Sequence, residues 1–455
     1  LLTTRQKYDI VVSEPSNPYR AGVAGLFTRE YYRSIDRCLK PGGLFFQWVQ
    51  AYEIDDRTME IFYRTLGSVF ANIESWQTES GDLLLMASHE PVAYDVEKLR
   101  ARLREEPFKT ALLSAWRADG FEDFLAHYVG NQAVAETLQH FNQGPLNTDD
   151  RTIIEFAFAR SVNLMNGFRL ANVRVGAIGA HADRPHLVNG EINWARVDEG
   201  RLSTNALLDR IPQFLATLTA AQRSRAAAFT DYTAGDLLGA LRNWRAQSDE
   251  PTTISELLLV SECLAAEGDS SALPYIDKLS AALPLDADAI RAEFLWRTQK
   301  PQESVEILVK FFQALREDPW PARELIERSL TRVEGIARSD QSKKATGLVY
   351  DALRMPFSVF TNETDRLGTL LSLSAYLDDN KPGETTLAAL GMFEPYPLWQ
   401  RKFLQGRRDC YTALNSPLAK QARHDFDEFI EHESATADVF RLVKEIEARA
   451  GASSN

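Results

Sequence analysis

Cysteine and histidine are scarce in this chain. Its 455 residues include three cysteines and seven histidines. The cysteines stand far apart, at Cys38, Cys263 and Cys410, which excludes a disulfide framework and a Cys-x-x-Cys zinc site and indicates a reducing, cytoplasmic compartment. His181 and His186 are five positions apart, a spacing unlike the short intervals of zinc ligands, so we expect a surface loop and no metal there.

Long apolar runs and an excess of positive charge are also lacking. No stretch reaches the roughly 18 apolar residues of a membrane-spanning helix, and no signal peptide is evident. Acidic residues number 64 against 51 basic ones, for a net charge of −13. Because phosphate binding needs clustered lysine and arginine, nucleic acid is not an expected partner. A hydrophobic content of 44% suffices for buried cores, and the length allows about two to four domains.

The first 50 residues predict a strand, a loop, a helix and a second strand. The β-branched run at 8–12 favours a buried strand. Prolines and glycines make residues 14–25 a loop. Thr28 can cap a helix that reaches Leu39, and the Lys-Pro-Gly-Gly turn after it precedes a strand at 44–49.

The next segment predicts a second helix and a hairpin. Asp55 or Asp56 can cap the helix, and strands at 72–77 and 82–87 are joined by a short turn at 79–81. The order of strand, helix, strand, helix and hairpin indicates an α/β protein. It is typical of the second half of a doubly wound sheet.

An acidic residue stands where such a sheet binds ligands. Ligands of open α/β sheets lie at the carboxyl ends of the parallel strands. Glu14 follows the first strand directly, and Gln47 to Gln50 end the second. Glu14 can therefore either face a ligand or cap a turn that the adjacent prolines stiffen, and the spacing does not decide between the two.

The string YDIVVSEPSNPYRAGVAGLFTREYYRSIDRCLKPGGLFFQ, residues 8–47, resembles the polyamine aminopropyltransferase (spermidine synthase) family, and in particular its bacterial branch fused to a membrane domain. In that family a Tyr-Asp strand runs into an Asp-Ser-Ser-Asp-Pro-type loop. A Leu-Phe-Thr-x-Glu-Tyr-Tyr helix, Pro-Gly-Gly and a strand ending in Gln follow. The string LNTDDR at 146–151 is also similar to the fused branch. The resemblance covers residues 1–160 and implies a sheet like that of S-adenosylmethionine-dependent methyltransferases.

What the resemblance implies is transfer of an aminopropyl-type alkyl group to a small amine. The donor would be a sulfonium nucleoside, decarboxylated S-adenosylmethionine or S-adenosylmethionine. Glu14 occupies the position of the family's catalytic carboxylate, which takes or holds the amine proton. Ser16, Asn17 and Gln47 match the part of the site that binds the amine substrate. Ala21 matches the loop position that lines the nucleoside.

The sequence departs from the family pattern at four places. Glu14 and Asn17 stand in place of aspartates, Ala21 in place of a proline, and Thr-Glu-Ser-Gly at 78–81 in place of Tyr-Pro-Ser-Gly. These changes argue against spermidine or spermine synthesis. Transfer to another acceptor and a pocket that binds without turnover are both open.

The nucleoside site is incomplete in this sequence. Such a site needs a glycine-rich first turn and an acid about 20 residues later, and no Gly-x-Gly-x-x-Gly occurs. Those elements precede the Tyr-Asp strand in the family. We therefore expect the sequence, which opens with Leu1, to be a piece of a longer protein that binds no cofactor by itself. A membrane would be met only through the preceding region, with this chain on the cytosolic face of the inner membrane.

From residue 221 onward the sequence predicts pairs of helices. Units at 255–283 and 289–316 repeat at a distance of 32 residues, as from Gly268 to Lys300. Further pairs follow at 322–337 with 343–354 and at 398–414 with 418–431. A period of this size is typical of tetratricopeptide-like solenoids, which bind a peptide or protein on their concave face.

The sequence thus predicts an α/β domain at 1–160, a connecting segment at 161–220 and all-α helical repeats at 221–455. Two functions compete. One is the spermidine-synthase-like transferase, inactive in this piece alone. The other is a non-catalytic interaction module, in which the α/β part is a degenerate scaffold and the repeats bind a protein partner.

Overall fold

A computed structural model describes residues 4–15, 22–78, 81–141, 143–161, 167–204, 216 and 218–433, without the side chains of 158–160. The chain divides into two compact units, Leu1–Leu264 and Ala265–Asn455. The first unit contains a five-stranded mixed sheet with helices, and the second is helical where it is described. The prediction of an α/β region followed by a helical region is confirmed at this level.

The sheet of the first unit has the spatial order β1-β2-β4-β3-β6. β1 and β2 are parallel, whereas β4 is antiparallel to both β2 and β3, and β6 is antiparallel to β3. Two short strands, β5 and β7, pair in parallel elsewhere in the unit. The strands are β1 Tyr8–Ser13, β2 Leu39–Gln50, β3 Asn72–Gln77, β4 Asp82–Ser88, β5 Ala93–Asp95, β6 Tyr128–Gly130 and β7 His186–Val188.

A single-turn 3-10 helix at Val23–Phe27 precedes the first α-helix. The α-helices of the first unit are α1 Arg29–Asp36, α2 Asp56–Gly67, α3 Val96–Arg102, α4 Phe108–Trp116, α5 Phe121–Leu125, α6 Gln132–His140, α7 Ile153–Ser161, α8 Leu170–Gly179, α9 Trp194–Thr204, α10 Ala220–Thr233, α11 Leu237–Arg245 and α12 Ile254–Glu267, which crosses the unit boundary.

Local capping determines where the first two helices begin. The Thr28 side chain accepts a hydrogen bond from the Tyr31 N–H, and the Asp55 side chain accepts one from the Thr58 N–H. Each cap satisfies a backbone donor that has no partner inside its helix. The predicted starts of both helices are therefore confirmed.

The first helix ends earlier than predicted, at Asp36 instead of Leu39. The Cys38 carbonyl accepts a hydrogen bond from the Tyr8 N–H, so the chain has already joined the sheet at this point. The Pro-Gly-Gly segment of β2 then bulges, since the register against β1 moves from Leu39 to Leu44. The Lys-Pro-Gly-Gly sequence, predicted to end the first helix, thus lies at the beginning of β2.

The prediction of a buried first strand is wrong. Ile10 and Val12 are 55% and 64% exposed. Among the described strands β1 lies at the edge of the sheet and pairs with β2 alone, so one side of its backbone has no strand beside it. A β-branched run indicates a strand, but it does not predict how many other strands pair with it.

Helices cover both faces of the sheet. One face carries an apolar cluster to which α1 and α2 contribute, including Tyr32, Phe45, Phe62, Phe70 and Ile73. The other face carries a smaller, aromatic cluster that includes Trp76, Met86, Phe121, Tyr128 and Val197. Both cores form because residues alternate in direction along each strand.

Segment 161–220 is more regular than predicted, because it contains α8 and α9. The buried positions of α8 are Leu170, Arg174 and Ala177. Arg174 donates to the backbone carbonyls of Ala126 and Tyr128 and to the side chain of Gln77. A buried arginine interrupts the apolar stripe from which helices are predicted, so sequence periodicity fades although the helix forms.

Asn147 joins three parts of the first unit. Its side chain is fully buried and donates to the carbonyls of Ala24 and Phe27, while its backbone N–H donates to the Thr65 hydroxyl. We expect Asn147→Ala to lower the free energy of unfolding by about 2–4 kcal/mol, because buried acceptors lose their donors. Urea unfolding measures this.

The matched control for that change is Gln143→Ala in the same segment, where the side chain is exposed. It should alter stability by less than about 0.5 kcal/mol. An equal effect of the two substitutions would show that Asn147 contributes no more than an exposed amide.

The second unit consists of helices joined by short connections. They are α13 Ala272–Ser280, α14 Pro284–Arg297, α15 Pro301–Ala314, α16 Arg323–Ser339, α17 Lys344–Leu353, α18 Glu363–Leu377, α19 Glu384–Gly391, α20 Arg401–Ala413 and a further helical stretch at 419–433. The sequence predicted most of these helices but not α18 and α19. Prolines at the first position of α14 and α15 mark their starts, since proline lacks only an N–H that would have no helical partner there.

Candidate functional site

The carboxyl edge of the sheet gathers the ends of several strands. β1 and β2 are parallel and end there at Ser13 and Gln50. β4 begins at the same edge, because Asp82 pairs with Gln50 in antiparallel register. Glu14, the residue after β1, therefore lies at the same edge as Asp82, with β2 between their strands.

The strand register assigns the predicted site residues to different faces of the sheet. Ser13 pairs with Gln47, and Val12 pairs with Phe46. Since successive side chains alternate, Glu14 follows on the face of Phe46 and Trp48, whereas Gln47 points to the opposite face. Glu14 and Gln47 are thus neighbours along the edge, but they do not present their side chains to the same side.

Gln47 is fully buried and already bonded to backbone atoms. Its Nε2 donates to the Trp48 carbonyl at 3.0 Å and to the Ser13 carbonyl at 3.4 Å. Its Oε1 is buried and has no hydrogen-bond partner among the described residues. Beside it, the Tyr31 hydroxyl donates to the Ser13 hydroxyl at 3.1 Å. The Oε1 of Gln47 can thus accept a hydrogen bond from a ligand or from a neighbouring loop.

Three of the predicted site residues, Ser16, Asn17 and Ala21, lie outside the described part of the chain. Glu14 is described, and its side chain is exposed. The roles predicted for these four residues and for Gln47 therefore stay predictions.

Asp82 is an unpredicted member of this edge. It is half-buried and pairs across the strands with Gln50. Burial raises the pKa of the Asp82 carboxyl; the Trp48 side chain lowers it by donating a hydrogen bond, and the negative charge of Glu14 raises it. The net change is upward. The negative charge of Glu14 thus acts on the Asp82 carboxyl across the edge of the sheet.

Two aromatic side chains, Trp48 and Tyr52, lie near Asp82 at this edge. Trp48 is half-buried, and it is the next residue on its face beyond Phe46, which packs against the aromatic core. Tyr52 is 45% exposed and lies over the turn, since a Cβ at Gly81 would come within 3.1 Å of its ring. Gly81 has φ +88°, so this position favours glycine on two counts.

A signal for Asp82 is present in the sequence. Strand, helix, strand connections are right-handed and give parallel strands, so β3 should run parallel to β2 and its turn should return to the carboxyl edge. The first residue after that turn is Asp82. The predicted elements alone thus suffice to place a second acid near Glu14.

His127 lies at the same edge but is closed off from solvent. It is 6% exposed, its Nδ1 donates to the Gln77 carbonyl at 2.9 Å, and its ring stacks on Trp116 at 4.0 Å. Burial lowers the pKa of His127 to about 4. A neutral, covered imidazole of this kind packs the core and is not available to a substrate.

The lowered pKa of His127 predicts a pH dependence of stability. Between pH 6.5 and about 4 the unfolded chain binds a proton that the folded chain does not. The free energy of unfolding should therefore fall by about 3 kcal/mol as the pH drops through this window. Urea unfolding at pH 7 and pH 4.5 should show a smaller loss in His127→Gln than in the unaltered protein.

The matched control is His140→Gln, at an exposed position on α6. It should leave the loss of stability between pH 7 and pH 4.5 in place. If His127→Gln behaves in the same way, His127 does not cause the pH dependence.

Metal-ligating residues do not cluster in the described part of the chain: no group of three or more His, Cys, Asp or Glu could hold an ion there. Within that same part, no helix is long and apolar enough to cross a membrane.

Comparison with models of protein families, with curated proteins and with solved structures found no match for this chain.

Proposed function

We propose that this chain contributes the amine-binding part of a spermidine-synthase-like transferase, which moves an aminopropyl-type alkyl group from a sulfonium nucleoside to an amine. The observation that carries the proposal is the position of Glu14. It directly follows β1, at the carboxyl edge shared by the parallel pair β1 and β2. Open α/β sheets bind their ligands at that edge.

The chemistry requires a carboxylate in this position. An amine attacks carbon only when it is neutral, so its proton must be held by a base within hydrogen-bond reach. The sulfonium group supplies the alkyl carbon, whose bond to sulfur breaks as the bond to nitrogen forms. The proton lost by the nitrogen passes to Glu14. Exposed as it is, Glu14 is open to an incoming amine.

The nucleoside itself does not fit the residues present. The sequence has no glycine-rich turn of the required spacing. Among the described strands β1 lies at the edge of the sheet, so the free side of its backbone suits the addition of further strands that would carry that turn. We therefore assign the amine to this chain and the nucleoside to a part of the site that this chain does not supply.

The test uses a longer protein that includes the coding sequence upstream of Leu1. Incubated with decarboxylated S-adenosylmethionine or S-adenosylmethionine and a series of amines, it should yield the alkylated amine and the nucleoside thioether in equal amounts by mass spectrometry. A longer protein that binds neither nucleoside in equilibrium dialysis would overturn the proposal.

A second candidate function is a non-catalytic protein-interaction module. The observation that favours it is a set of exposed large apolar side chains in the second unit, namely Trp320, Met355, Phe360, Tyr396 and Trp399. Exposed aromatic residues are enriched where proteins bind peptides or other proteins. Under this function, replacing Phe360 and Tyr396 by serine should abolish binding of a defined partner, while Glu14→Gln should leave it intact.

A further inference from the structure

A small cleft lies where three helices of the first unit meet. It is lined by the end of α3 with the turn after it, by the first turn of α4 and by the start of α5, and its volume is about 230 Å³. Because α4 ends at Arg117, which has the left-handed backbone conformation, the chain turns there, and residues 118–122 complete the cleft. None of the residues that the proposed transferase assigns to the amine is part of its lining.

One wall of the cleft is fixed by an ion pair. The Arg100 guanidinium donates to the Glu122 carboxylate and, at 2.8 Å, to the Glu191 carbonyl. The charges of Arg100 and Glu122 therefore compensate each other. Leu103 and the buried Phe121 add apolar surface to the lining. The wall is thus rigid and close to neutral.

Three other charged groups in the cleft have no such compensation. Arg104 and Lys109 line it with exposed side chains, and neither side chain has a hydrogen-bond or ion-pair partner in the part of the chain that the structure describes. Asp119 lines the cleft as well. Its N–H donates to the Asp123 carboxylate at 3.0 Å, which fixes its backbone, while its own carboxylate accepts no hydrogen bond from a described residue. The cleft therefore presents two positive charges and one negative charge.

These three charges define the charges of a complementary ligand. Guanidinium and ammonium groups bind carboxylates, and a carboxylate accepts hydrogen bonds from an ammonium group. A ligand with two carboxylates and one ammonium group pairs with all three side chains, and a short methylene chain suits the apolar part of the lining. Inorganic phosphate suits the cleft less well, since it places a second negative charge beside Asp119.

We propose that this cleft is a binding site for an acidic α-amino acid, such as glutamate or aspartate. Arg104 and Lys109 hold the two carboxylates of the ligand, and Asp119 accepts a hydrogen bond from its ammonium group. Arg100, held by Glu122, closes one side. The inference goes beyond the proposed transferase and uses none of its residues, so failure of the alkylation assay would leave it standing.

The test is calorimetric titration of the 455-residue chain with L-glutamate at low salt. Binding should be saturable and one-to-one, and it should weaken as salt is added, because the charged groups are near solvent. Glutarate lacks the ammonium group and L-glutamine lacks the second carboxylate, so each should bind about tenfold more weakly. Inorganic phosphate should not displace glutamate.

Substitutions in the cleft separate the three contacts. Arg104→Gln and Lys109→Gln should each weaken glutamate binding about tenfold, because each removes one positive partner. Asp119→Asn should weaken glutamate binding but strengthen glutarate binding, because the amide no longer repels a dicarboxylate. A general change in surface charge would strengthen the binding of both ligands, so this opposite response is specific to an ammonium contact.

The matched control is Arg102→Gln. It removes an exposed arginine at the end of α3 that pairs with Glu105 and does not line the cleft. It should leave glutamate binding unchanged. Four results would overturn the site: no saturable binding of glutamate or aspartate, equal weakening by Arg102→Gln and Arg104→Gln, glutarate binding as tight as that of glutamate, or displacement of the amino acid by phosphate.

Discussion

Replacing Glu14 by glutamine should lower the rate of amine alkylation by about 10²–10⁴-fold at saturating amine in the longer protein, since loss of a general base costs this much. Nucleoside affinity should change little, because the proposed function assigns Glu14 to the amine and not to the nucleoside. The measurement is the turnover rate alongside equilibrium dialysis of the nucleoside. Glu14→Asp, which restores the acid found at this position in the family that the sequence resembles, should recover part of the rate.

The control for this prediction is Asp9→Asn, which removes an exposed carboxylate at the start of β1, where it pairs with Lys40. Its turnover should equal that of the unaltered protein. Unchanged turnover in Glu14→Gln would refute the role of Glu14. A pH profile separates a base from an anchor, since only loss of the base removes the acidic limb of the rate profile.

Replacing Arg407 by methionine should lower the free energy of unfolding of the second unit by about 3–5 kcal/mol. Arg407 is 1% exposed and lies between two acids. It contacts Glu394 at 2.6 and 3.1 Å and Asp425 at 2.6 Å. Without the guanidinium, the carboxylates of Glu394 and Asp425 stay largely buried but lose their positively charged partner. The measurement is urea unfolding followed by circular dichroism.

Arg401→Met on the same helix is the matched control. Arg401 and its partner Glu433 are both largely exposed, and such pairs contribute about 0–1 kcal/mol. Adding Glu394→Gln and Asp425→Asn to Arg407→Met should recover part of the lost stability, because no unpaired charge is then left. Equal effects of Arg407→Met and Arg401→Met would contradict the assignment of Arg407 as a buried ionic link.

Local signals in the sequence predicted much of the fold. The caps Thr28 and Asp55 and the hairpin strand at 72–77 lie as predicted, and the hairpin strand predicted at 82–87 is one residue longer. Each depends on side chains within a few residues of one another, so short-range patterns suffice. The helix α8 was missed because buried Arg174 is satisfied by carbonyls that come from distant parts of the chain.

The candidate site was predicted only in part. Glu14 was placed correctly at the end of a strand, because that position depends on local strand signals. The separation of Glu14 and Gln47 onto opposite faces depends on the register between β1 and β2, which the bulge shifts. The charge of Glu14 acts on a carboxyl 68 positions later in the chain, that of Asp82.

By itself, then, the sequence determined the positions of β1, β3 and β4, the starts of the first two helices and the acid at the end of β1, because these depend on neighbouring residues. The tertiary structure alone decided that β1 is the edge among the described strands and that Gln47 turns into the core. Those outcomes depend on which strands pair and in what register, and strand pairing is a long-range choice that local side chains do not make.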